Sequence, residues 1–156
     1  DGIRDTSVTG VQTCALPIYE KKLLIEVQKL LHKVGELGFF LCGHNVKGFD
    51  IPVLAKRMII NGLLPPKILP GHDTKPWEIK ALDTKEVWQY GGYGSIASLE
   101  LMCVCLGVPS PKTMEVTGNK VHEAFWIKKD YKGISDYCEA DVLSLINVIK
   151  KLTQLK

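Results

Sequence analysis

Long apolar runs are missing from this chain. None approaches the roughly eighteen residues that a membrane-spanning helix needs, which excludes a helical membrane span within it. No internal repeat and no linker of biased composition interrupts it, so solenoids and multi-domain arrays are excluded and one α/β unit is expected. Excess charge is also scarce. Twenty Lys and Arg against seventeen Asp and Glu leave +3, a mildly basic balance that permits a nucleic-acid partner without arguing for one. Five cysteines fit no zinc spacing, and no native secretion signal is visible. They read as reduced, buried thiols of a cytoplasmic protein. What remains is ordinary: 156 residues, 46% hydrophobic and 24% charged, enough to bury one core.

The N-terminus calls for separate reading. Asp1–Asp5 and Val8–Ile18 back-translate into the two constant arms of a common sequencing-library adapter, with Thr6-Ser7 in the place of a six-base index. Residues 1–18 are therefore expected to be non-native. The biological sequence is expected to be 19–156, a domain fragment whose first strands are missing. Cys14 leaves the cysteine count with that segment.

Leu23, Leu24, Val27, Leu30, Leu31 and Val34 recur at helical spacing, and Gly35 and Gly38 stop the pattern. Phe39-Phe40-Leu41-Cys42 reads as a buried strand of a mixed or parallel sheet. Asp50 then stands where a helix N-cap belongs, with Pro52 in the first turn. Leu54, Ala55, Met58 and Ile59 form that helix's inner face and Gly62 closes it. Proline-rich Leu63–Pro76 is mostly loop, and Trp77–Asp83 reads as a further strand. Ser95–Leu106 is a helix ended by Gly107, and Ser110–Asn119 a loop. Ile134–Leu155 is a last helix, with Val142, Leu145, Ile149 and Leu152 on one stripe.

Tyr137 and Asp141 are four apart in that last helix and share a face that Leu145 continues. A carboxylate directed along an apolar stripe needs a cation, a set of donors or a crevice, because leaving it unpaired costs several kcal/mol. A bonded neighbour at the stripe's edge would satisfy it, and capping alone would explain Asp50.

The order of these pieces adds information. Gly43-His44-Asn45-Val46-Lys47-Gly48-Phe49-Asp50 follows a strand, and Tyr137-Cys138-Glu139-Ala140-Asp141 lies in a late helix. Together they resemble the Exo II and Exo III motifs of the DEDD exonucleases. Leu82-Asp83-Thr84 and Ser98-Leu99-Glu100-Leu101 fall between in the family's order. The chain is most similar to the predicted 3′–5′ exonucleases related to the proofreading domain of family B DNA polymerases, of the DEDDy type. The resemblance implies an RNase H-like (DnaQ-like) α/β fold and hydrolysis of nucleic acid, expected to be single-stranded DNA, from its 3′ end. It implies Asp141 and Asp50 as ligands of Mg²⁺ or Mn²⁺, Tyr137 as the group orienting the attacking water, and Asn45 and Phe49 beside the terminal nucleotide. Two such ions about 4 Å apart supply the nucleophile, neutralise the phosphorane-like charge and assist the leaving 3′-oxygen. A hydroxyl within hydrogen-bond reach of the water fixes its line of attack.

One departure matters. The family's first motif, Asp-x-Glu, occurs nowhere in the chain, so the fragment is expected to bind metal poorly and to be inactive. An RNase D-like exoribonuclease and a catalytically dead nucleic-acid-binding module are the competing readings. Among the other candidates, His44 reads as a turn residue, His122 and Glu123 as solvated, Cys103 and Cys105 as core, and Asp83 as a helix cap. Lys47, Lys56 and Arg57 suit a phosphate path or plain surface, and Trp88 and Tyr90 suit base stacking or packing.

Overall fold

The computed structural model describes residues 10–71, 73–92, 97–110 and 116–154. The chain divides into two compact units, Asp1–Leu82 and Asp83–Lys156. The first holds α1 (Gly10–Glu36), β1 (Leu41–Gly43) and α2 (Asp50–Ile60), a 3₁₀ turn at Pro76–Glu78, and the start of β2 (Ala81–Asp83). β1 and β2 form a small parallel sheet, two-stranded among the described residues. The second holds α3 (Thr84–Gln89), α4 (Leu99–Leu106), α5 (Val121–Glu123) and α6 (Tyr131–Thr153). A 3₁₀ turn at Gly118–Lys120 and a π-helical turn at Ala124–Lys128 flank α5. The α/β class expected from the sequence is what the chain adopts.

The first core joins Leu24 and Leu31 of α1 to Val46, to Ile51 and Met58 of α2, and to Leu69. Burying aliphatic side chains of this size contributes about 1.5–3 kcal/mol each. The buried stripe of α1 is narrower than its periodicity suggests: Leu23 and Leu30 are exposed. On α2 the inner face is Ile51, Leu54, Ala55 and Met58, while Ile59 points to solvent. Gly62 takes the left-handed conformation after that helix, as expected. Glu20 clasps Arg57 through both guanidinium contacts and also accepts from Asn61 Nδ2 at 3.2 Å, tying α1 to the end of α2. Arg57 is thereby engaged on its own unit.

Two strand expectations need correction. Phe39 and Phe40 precede β1 and are 64% and 62% exposed, where a buried strand was expected. They line a cleft of about 920 Å³, together with Leu31, His32, Lys67 and Lys80. Trp77 and Glu78 belong to the 3₁₀ turn, so β2 is confined to Ala81–Asp83. Pro76 at the start of that turn presets its φ and cannot donate to a sheet ladder.

The second core gathers Ala97, Met102, Cys103, Val108 and Val148, with Trp88, Leu99, Leu106 and Leu152 packed against it. Trp88 is thus a packing residue, whereas Tyr90 is exposed. Asp83 caps α3 by accepting from Lys85 N–H at 3.0 Å, as the family resemblance implied. Ser98 caps α4 and Gly107 ends it. Ser95 and Ile96, where that helix was expected to start, lie outside the described residues, as do 111–115 of the expected loop, Leu155 at the last helix's end, and the first nine residues of the segment 1–18. On α6 the buried positions are Ser144 and Val148. Val142 is exposed, so the core stripe is rotated from the expected one. Of the four cysteines whose side chains are described, none in a disulfide, only Cys103 is buried. Cys42, Cys105 and Cys138 are exposed, which corrects the expectation of buried thiols.

Candidate functional site

In the first unit the candidate residues sit on the turn that leaves β1. Gly43 ends the strand against Val46, where a Cβ would come within 2.6 Å of the valine Cβ, so the chain can fold back only over glycine. Asn45 adopts φ +60, a left-handed conformation that asparagine tolerates better than most residues. Its carbonyl accepts from Gly48 N–H at 3.1 Å and Phe49 N–H at 3.0 Å. Its side-chain oxygen lies 2.7 Å from where a Gly48 Cβ would be. The two glycines of the Gly43–Asp50 stretch are therefore there for close approach.

The same turn delivers Phe49 60% exposed, not into the core. Asp50 is exposed at the first position of α2. The N-cap is Phe49, and no side chain caps the helix, so the sequence expectation that Asp50 is the cap is corrected. A carboxylate there still sits favourably by the positive end of the helix dipole, and it is left open to solvent.

In the second unit α6 starts cleanly. Asp130 caps it, accepting from Gly133 N–H at 2.8 Å, and a Cβ at Gly133 would collide with the capping carboxylate. Less than two turns along, the Tyr137 hydroxyl donates to Asp141 and accepts from the backbone N–H of Gly118. A Cβ at Gly118 would lie in ordinary contact with the phenol oxygen, at 3.5 Å. Burial raises the Tyr137 pKa, the Asp141 charge and hydrogen bond raise it further, and the Gly118 N–H opposes them. The phenol is thus held protonated and oriented. Behind Asp141, Cys103 of α4 is fully buried. Burial first, then the charges of Asp141 and Glu100, push its thiol up. Ser144 Oγ donates to Pro109 O at 2.9 Å, fastening α6 to the chain after α4.

Asn45, Phe49 and Asp50 belong to the first unit, Tyr137 and Asp141 to the second. Tyr137 and Asp141 share a face of α6, as their spacing led us to expect, and the carboxylate's charge and hydrogen bonding raise the phenol's pKa. None of the five lines the 920 Å³ cleft. His122 and Glu123 are exposed, on the short α5 beside the loop, as the solvated reading expected. Sequence reasoning missed Gly118, since a single glycine at a loop's end carries no periodic signal. It also missed the placing of Cys103 behind Asp141. The donors suit Mg²⁺ or Mn²⁺ in kind, being hard carboxylate oxygens, but not in number. No group of three or more His, Cys, Asp or Glu gathers as a metal site among the described residues. No helix of the described residues is long and apolar enough to cross a membrane.

A family model described as predicted 3′–5′ exonuclease related to the exonuclease domain of PolB matches residues 6–155. No curated protein and no solved structure matches the chain.

Proposed function

The chain belongs to the family of predicted 3′–5′ exonucleases related to the exonuclease domain of PolB, and from that premise we propose that its chemistry is the removal of nucleoside monophosphates from DNA 3′ ends. The observation that carries this reading is the bonded pair on α6. A tyrosine kept protonated, with its hydroxyl fixed between Gly118 N–H and the Asp141 carboxylate, can hold a water by its oxygen and set the line of attack on phosphorus. Asn45 and Phe49, on the exposed turn after β1, take the terminal nucleotide, and the open Phe49 ring supplies a stacking face. Asp50 and Asp141 serve as ligands of Mg²⁺ or Mn²⁺, which when bound supplies charge neutralisation at the phosphate. The fold this reading requires is RNase H-like, with which the chain's α/β class and small parallel sheet are compatible, and the enzyme is of the DEDDy type. Single-stranded DNA is the preferred substrate by the likeness to proofreading domains.

With no Asp-x-Glu in the sequence, and no carboxylate cluster among the described residues, the chain by itself binds metal weakly and does not cleave. Those two observations also favour a second reading, a nucleic-acid-binding module without activity. The experiment uses 5′-labelled single-stranded DNA and RNA of matched sequence, with Mg²⁺ or Mn²⁺. It compares the 156-residue chain with the same chain extended at its N-terminus by a relative's strand bearing Asp-x-Glu. Only the extended chain should shorten DNA from its 3′ end, and Asp141→Ala should abolish the ladder. Faster loss of RNA would transfer the reading to an RNase D-like exoribonuclease. An extended chain that binds both and cleaves neither leaves the binding module standing.

A further inference from the structure

Outside the site just described, the segment between Gly118 and α6 has features that the nuclease reading does not use. Phe125, Trp126 and Tyr131 are 41%, 50% and 55% exposed, yet they are not loose. Phe125 meets Trp126 edge-on with centroids 4.9 Å apart and Tyr131 edge-on at 5.4 Å. Rings fixed against one another offer contact area with little side-chain entropy left to lose on binding.

The backbone beneath them is unusual. Ala124–Lys128 is a π-helical turn anchored by buried Ala124. It ends at Lys129, a non-glycine residue at φ +53, and Asp130 N–H closes it onto Ala124 O at 2.9 Å. Short π-helical turns are frequent at functional sites, and a lysine is an uncommon residue in the left-handed position that ends this one.

The charge leans basic, three lysines against Glu123 and the capping Asp130. Lys120, Lys128 and Lys129 are exposed around the rings. Lys128 reaches Glu123 at 3.0 Å, with both side chains about half exposed, and a surface pair of that kind is weak enough to exchange for a phosphate. The segment also starts at the candidate site, because Gly118, two residues before Lys120, bonds the Tyr137 hydroxyl.

We propose that Phe125, Trp126 and Tyr131, with Lys120, Lys128 and Lys129 around them, form a platform on which the bases of single-stranded nucleic acid stack while its phosphates meet the lysines. The proposal rests on the nuclease reading for its choice of occupant and adds a binding surface to it. Stacking accepts every base, so the platform holds the strand without reading its sequence.

The test measures anisotropy of a 5′-labelled oligo(dT) with the full chain in EDTA, where no cleavage intervenes. Trp126→Ala should weaken binding about tenfold and Trp126→Phe should restore most of it, since one stacked base is worth roughly 1–3 kcal/mol. Lys128→Gln with Lys129→Gln should flatten the salt dependence by about 1.4 units of slope, about 0.7 per lost phosphate contact. An abasic strand of equal length should bind the parent chain about tenfold more weakly. Equal affinity for the abasic strand, or a lysine variant that keeps the parent's affinity and salt dependence, would overturn the platform even if Trp126→Ala fails to fold. Retention of an acidic peptide as tightly as the oligonucleotide would overturn the choice of partner. Binding is read apart from cleavage, so the two readings fail separately. A chain that stacks DNA here but never cleaves when completed loses the nuclease reading alone. One that cleaves with Trp126→Ala and abasic binding unaltered loses the platform alone.

Discussion

Asp50 stands open to solvent on the first turn of α2, whereas Asp141 is half-buried on α6 with a phenol bonded to it and a buried thiol behind it. The first unit positions its candidates through backbone shape: a glycine pressed on Val46, an asparagine at positive φ, and carbonyl bonds that close the turn. The second positions them through neighbouring side chains, a cap and a loop amide. A turn fixed by backbone contacts keeps its geometry when its exposed side chains change. A helix face fixed by side chains has electrostatics that change with each partner. The two aspartates should therefore answer substitution differently.

The most severe changes are those to the cores on which each arrangement rests. Met58 and Met102 are both fully buried, one in each unit. Truncation of either to alanine should cost about 2–5 kcal/mol in urea unfolding. Hydrogen exchange should show the amides of α2 losing protection in Met58→Ala, and those of α4 in Met102→Ala. Loss of less than 1 kcal/mol at either would mean that the cluster around it collapses onto the gap.

Gly43→Ala comes next. Its new methyl would sit 2.6 Å from Val46 Cβ, a buried side chain with little room to give, and overpacking of this sort costs about 1–3 kcal/mol. Gly118→Ala meets the Tyr137 oxygen at an ordinary 3.5 Å and should be close to neutral by the same measurement. If the two alanines cost alike, the first unit does not depend on close backbone approach in the way described here.

These contrasts also show what was legible in the residues. The α/β class, the Tyr137–Asp141 face and the helix-ending Gly62 and Gly107 all follow from local rules of spacing, capping and φ, while the capping role of Asp83 came with the family resemblance. They are visible because each concerns residues within a turn or two of each other. The exposure of Phe39 and Phe40, and the rotation of the α6 stripe toward Ser144 and Val148, depend on what packs across from them, which periodicity does not encode. Asp50 was misread as a cap for a related reason: Pro52 marks a first turn without saying at which residue the helix begins. Phe49 takes the cap position at φ −130 and ψ −69 and leaves Asp50 inside the helix. Gly118 is legible only once α6 and its own loop are folded together.

Asp130 and Asp50 separate the capping role from the one proposed for the site. Asp130→Ala removes the acceptor of the Gly133 N–H and should cost about 1 kcal/mol. Asp50→Ala removes no cap bond and should change stability by less than about 0.5 kcal/mol, while abolishing cleavage in the Asp-x-Glu-extended chain. An equal loss of stability at both positions would return Asp50 to a purely structural role.

The smallest effect concerns pH. Tyr137 is raised above its ordinary value by burial first and by Asp141 second. Below about pH 10 the folded and unfolded chains both keep the phenol proton, and the shift has no effect on stability. As pH rises from there toward the higher folded value, the unfolded chain releases its proton first, so the folded state loses stability. Asp141→Asn removes the charge that opposes the phenolate. The folded value should then move down toward the ordinary one, without reaching it because burial remains, and the alkaline loss should shrink. Tyrosinate absorbance, taken as the difference between each chain and its Tyr137→Phe counterpart, isolates this residue from the other four tyrosines. An unchanged titration in Asp141→Asn would mean that the two side chains do not share a proton-bearing contact, and the water-orienting role proposed for Tyr137 would lose its geometric basis. Asp50→Asn, on the unit whose candidates are set by backbone, should leave the same curve where it was.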